Sequence, residues 1–115
     1  MTLKPTQITF RGIAHSDALE ADIARHITKL ERFAQQVVGC KVLVETPHRH
    51  HHDGPHFRVR IEVTIPGASP IVVSHEPTPG TDPYLTVHEA FDAAQRRVQD
   101  TVRLQRGAVK TPAAG

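Results

Sequence analysis

Arg25, Lys29 and Arg32 stand four and then three residues apart, a spacing that stacks three cations along one side of an α-helix. Arg96, Arg97 and Arg103 repeat the theme later in the chain. Such rows of fixed cations suit an anion whose charges recur along a line. A second group carries different chemistry. His48, His50, His52 and His56, with His51 and Asp53 among them, offer enough nitrogen and oxygen donors to ligate zinc or another divalent ion. Gly54 and Pro55 interrupt that run, and nothing in the pattern supplies the partners that would fix the ligands. Adventitious metal binding is therefore the expectation, and no cofactor is implied. Cys40 is the only cysteine, so no internal disulfide can form.

Catalysis finds no foothold. There is no Gly-rich phosphate loop, nucleophile elbow or metalloprotease helix motif. Cys40 opens an apolar strand, where a thiol acts as a small hydrophobe rather than a nucleophile. A non-enzymatic protein is expected. The formal net charge of +2 with a pI of about 9.0 is too small to establish a nucleic-acid partner, so the distribution of cations has to decide. Spacing alone does not separate an anion-binding face from an ordinary solvated one, which Asp22 and Glu31 would partly balance. The N-terminal residues hold no apolar signal core and no run reaches membrane-spanning length, so a cytoplasmic chain with no membrane partner is expected.

These residues need elements to position them, and periodicity provides six. Ile8 and Phe10 alternate with Gln7, Thr9 and Arg11 in a first strand. Ser16 to Val38 reads as a helix whose stripe runs through Ile23, Ile27, Leu30, Phe33 and Val37. Asp17 and Glu20 suggest a capping box at its start, and Gly39 its stop. Cys40 to Thr46 forms a second strand with Cys40, Val42 and Val44 inward. Phe57 to Ile65 alternates over nine residues, and Ile71 to Ser74 returns after a Pro66-Gly67 turn. Asp82 as N-cap and Pro83 at the first helical position open a second helix with an apolar stripe of Val87, Phe91, Ala94, Val98 and Val102, stopped by Gly107. The fold class is α+β, β-α-β-β-β-α. A four-stranded, mixed but mainly antiparallel sheet should carry both helices on one face. Residues 1–107 form one domain, with a disordered tail over 108–115.

Ile8-Thr9-Phe10-Arg11-Gly12, Ser16-Asp17-Ala18-Leu19, Lys29-Leu30-Glu31-Arg32-Phe33, Val59-Arg60-Ile61, Pro66-Gly67, Tyr84 and Ala90-Phe91-Asp92-Ala93-Ala94 follow one another in a familiar order. From about Thr6 to Arg106 the chain resembles the ribosome hibernation-promoting factor family, also called ribosome-associated inhibitor or sigma-54 modulation protein. The resemblance implies a fold like the double-stranded-RNA-binding domain. It also implies binding to the 30S subunit and its rRNA near the decoding region, which blocks messenger and transfer RNA by occupancy. Lys29 and Arg32 match the basic positions of the family's first helix, and Arg96 and Arg97 those of its second. With Arg25 and Arg103 they make up the expected RNA-binding set. The loop His48 to His56 and the Pro77 to Pro83 connection are longer than in familiar members. The pattern is that of the short form, without a dimerisation domain, so a monomer with no DNA partner is expected. Acidification should tighten ribosome binding if the loop, with Arg49, faces RNA. Two other readings stay open: a protein-interaction module acting on a transcription regulator such as a sigma factor, and a metal-responsive His-rich loop on an inert fold.

Overall fold

The computed structural model describes residues 6–46, 57–78 and 80–110, the side chains of 108–110 excepted. In chain order the elements are β1 (Thr6–Arg11), α1 (Asp17–Phe33), β2 (Gly39–Glu45), β3 (Arg58–Thr64), β4 (Ile71–His75) and α2 (Pro83–Lys110). The strands lie in the order β1-β2-β3-β4. β1 and β2 are parallel, a pairing that needs the crossover α1 supplies, and the remaining pairs are antiparallel. The α+β, β-α-β-β-β-α architecture with a mixed sheet is thus present.

Register sets the core. Ile8, Val42, Ile61 and Val73 lie side by side across the four strands, and Phe10, Val44 and Val59 form the next row. Because side chains alternate across a strand, these rows share one face, and both helices cover it. Ile23, Val44, Ile61, Val63, Val87 and Val98 are wholly enclosed there. The opposite sheet face carries Lys41, Leu43, Arg60 and Glu62 and is left uncovered by the helices.

The helix starts follow local chemistry. Ser16 caps α1, its Oγ accepting from the Leu19 N–H at 3.1 Å, so the cap lies one residue before the expected Asp17. Asp82 caps α2 as expected, its carboxylate accepting from the Tyr84 N–H at 2.8 Å. The helix ends differ from expectation. α1 stops at Phe33, not at Val38. Ala34 turns extended (φ −139°, ψ 104°), and the Val38 N–H donates to the Thr64 carbonyl at 2.9 Å. The chain leaves the helix early because the β2–β3 ladder claims it, and Gly39 is the first residue of β2 rather than a helix cap. Val37 still reaches the core, delivered by a turn. Phe33 does not: Ala34 takes the buried position and Phe33 is 46% exposed. Gly107 does not stop α2, which continues to Lys110 with no left-handed residue at 107. Gly67, at φ +81°, does what its turn requires, closing Ala68 N–H onto the Ile65 carbonyl.

Candidate nucleic-acid interface

α1 and α2 run side by side in the same direction. His26 meets His88 and Phe91 (ring centroids 5.8 and 5.1 Å), Lys29 and Leu30 line one small groove with Asp92 and Gln95, and Phe33 lines another with Gln99 and Val102. Each step along one helix is a step along the other, so the pair presents one long outer surface.

That surface gathers most of the expected cations. Arg25, Lys29 and Arg32 are exposed on the side of α1 away from the sheet. Arg96 lies nine residues beyond the enclosed Val87, two and a half turns of a 3.6-residue helix, and so points outward. Arg103 flanks the seam between the helices and Arg106 joins it there. Arg25 is tied to Asp22 at 2.8 Å. Lys29, Arg32, Arg96, Arg103 and Arg106 have no carboxylate partner among the described residues. Arg97 is placed elsewhere: its Nη1 leans toward the Val72 carbonyl at 3.4 Å, on the β4 flank of α2. Arg106 is an addition to the expected set, three residues past Arg103 on one helix side.

The seam itself holds groups that periodicity alone did not bring together. The Nδ1 of His26 lies 2.9 Å from the Asp22 carbonyl, and His88 Nε2 lies 3.5 Å from Asp92. Nothing in the linear spacing pairs residues 62 positions apart; only the parallel helix packing does.

On the open sheet face Arg58 is engaged, donating through Nε (2.9 Å) and Nη2 (2.6 Å) to Glu45 Oε2. This removes Arg58 from the free cations, whereas Arg60 is exposed. Glu45, expected on the outer face, is nevertheless only 8% exposed because Arg58 and Arg11 lie over it.

The candidate ligands His48, His50, His52 and His56 lie outside the described residues. The structure groups a different trio, His15, Asp17 and Glu20, whose donor atoms lie within 4.8 Å of one another. His15 Nε2 contacts Glu20 at 2.5 Å and its Nδ1 lies 3.3 Å from Asp17. The ring turns its two nitrogens to two different carboxylates at the start of α1. Cys40 is buried, and burial first, then the charge of Glu31, pushes its thiol pKa up to about 12. Among the described residues no helix is long and apolar enough to cross a membrane.

The model of the sigma 54 modulation protein / S30EA ribosomal protein family matches residues 6–105. The chain belongs to this family. Its members are ribosome-associated and non-enzymatic. No curated protein sequence matches the chain. Among solved structures, the fold is similar to the Protein Y N-terminal domain of Thermus thermophilus, with a TM-score of 0.67 and 19% identity over 86% of this chain and 99% of that one. It is also similar to a ribosomal subunit interface protein of Coxiella burnetii, with a TM-score of 0.69 and 17% identity over 85% and 97% of the two chains. The S30EA family relationship accounts for the whole β-α-β-β-β-α unit, from the first strand to the basic part of α2.

Proposed function

We propose that this protein binds the small ribosomal subunit through the outer surface of its helix pair, lying over the RNA of the decoding region and excluding messenger and transfer RNA. The observation that carries the reading is a row of cations, without carboxylate partners among the described residues, shared by two parallel helices: Lys29 and Arg32 from one and Arg96, Arg103 and Arg106 from the other. Ribosomal RNA presents phosphates in rows, and cations that are not already neutralised release counterions on meeting them. Backbone contact of this kind suits structured RNA, whose deep, narrow major groove hides its bases. Family membership and the subunit-interface description of the Coxiella relative favour a ribosomal over another polyanionic partner. A ribosomal partner also places the protein in the cytoplasm.

The test is displacement. Small subunits loaded with a labelled messenger fragment and initiator transfer RNA are titrated with the protein and filtered. Release of both labels by wild type, with little release by a Lys29→Glu, Arg32→Glu variant, is the expected result. Binding of the protein without loss of either label would overturn placement at the decoding region.

A further inference from the structure

We infer that the end of the helix seam around Phe33 is a subsite for one unpaired nucleobase of RNA. The proposal rests on the ribosomal-RNA reading above. Phe33 is an aromatic ring that the fold leaves 46% exposed although its position continues the apolar stripe of α1. It stands at a groove of about 220 Å³ between the end of α1 and α2, with Ala34 and Val102 completing the apolar side. Drug-sized pockets begin at about 300 Å³. This groove is on the scale of a single flat ring.

The polar rim fits the same guest. Gln36 from the turn after α1 and Gln99 from α2 line the groove, and neither amide has a hydrogen-bond partner among the described residues. Each carries one acceptor and two donors, the inventory needed to meet a base edge. Arg103 and Arg106 border it too, placed to take the phosphates flanking a base or to lie against its ring. RNA is recognised base by base mainly where bases are unstacked, and then by stacking on aromatic rings and by hydrogen bonds to their edges. An apolar protein side chain would use the ring but leave two amides and two guanidinium groups idle. Charge complementarity therefore favours a nucleotide.

The subsite predicts base-dependent affinity separable from charge. The probes are hexaadenylate RNA and an abasic hexamer with the same number of phosphates, each titrated at low salt by fluorescence anisotropy. Stacking on an aromatic side chain is worth about 1–3 kcal/mol per base, so wild type should prefer the base-bearing strand by roughly 5- to 150-fold. Phe33→Tyr should keep that preference. Phe33→Ala and Phe33→Leu should abolish it while leaving abasic binding unchanged. Because Phe33 is half exposed, these variants should fold, and their far-ultraviolet circular dichroism checks this. Equal binding of both strands by wild type would overturn the subsite and leave the cationic-face reading standing. Equal strands combined with weakened small-subunit binding by Phe33→Ala would assign the groove to a ribosomal protein instead. Binding of neither strand would overturn the subsite, and the small-subunit displacement assay would decide the cationic-face reading separately.

Discussion

Removing the guanidinium of Arg58 should destabilise the fold more than any other change on the open sheet face. Glu45 and Arg58 are direct cross-strand partners between β2 and β3. The Glu45 side chain is 11% exposed and Arg58 is 35% exposed. Two hydrogen bonds from Arg58 converge on one carboxylate oxygen, while Arg11, itself 70% exposed, stands 3.8 Å from the other. Arg58→Met keeps most of the aliphatic stem but leaves a nearly enclosed carboxylate with one distant cation. Breaking a fully buried pair costs about 3–5 kcal/mol. With Arg58 one-third in water, about 2 kcal/mol is expected here, consistent with hydrogen bonds to charged groups at about 1.5–3 kcal/mol. Glu45→Met should cost less, about 1 kcal/mol, because Arg58 retains Glu76 at 3.6 Å. The double Met variant removes both the charges and the desolvation, and should lie within about 1 kcal/mol of wild type. Urea unfolding of the four proteins gives the cycle directly. Single-variant costs that simply add, with no recovery in the double variant, would refute the reasoning.

Two further outcomes follow from local chemistry. Ser16→Ala removes the acceptor of the Leu19 N–H and should cost about 1 kcal/mol in the same assay, whereas Asp17→Ala should cost less, since Ser16 is the cap. Cys40 should resist thiol reagents at pH 8 in the native protein and react once urea unfolds it, because its thiol is enclosed and its pKa is pushed up to about 12. The unfolded thiol releases its proton from about pH 8.5, the folded one only near 12, so alkali should favour unfolding between those limits by up to about 1.4 kcal/mol per pH unit. Cys40→Ala should flatten that alkaline slope; an unchanged slope would contradict the assignment.

The strands were legible because each has one wet and one dry face. Val59, Ile61 and Val63 alternate with Arg60 and Glu62 in sequence and face opposite ways in the sheet. The start of α2 was legible from Asp82-Pro83, since capping is a contact over two or three residues. What escaped was decided by distant partners. α1 ends where it does because Thr64 claims the Val38 N–H, and no signal within residues 16–39 carries that information. Gly107 stays helical because a glycine permits a stop without forcing one. Phe33 lies outside the core because the helix ends beneath it. In the candidate interface, spacing identified each basic row but could not show that α1 and α2 lie parallel. Nor could it show that Arg97 turns toward β4 while Arg106 joins Arg103. Those facts depend on helix phase against the sheet, which shifts with every residue of the connecting segments.

The central claim, that cations on the helix pair meet ribosomal phosphates, is tested most directly by the salt dependence of small-subunit binding. Each neutralised phosphate contributes about 0.7–0.9 to the slope of log affinity against log salt. Five cations without carboxylate partners among the described residues therefore predict a slope near −4, equivalent to roughly a 250-fold loss between 50 and 200 mM salt. Charge reversal at Lys29 and Arg32 should weaken binding at low salt and lower the magnitude of the slope by about 2. A slope near zero, or one unchanged in that variant, would contradict the account.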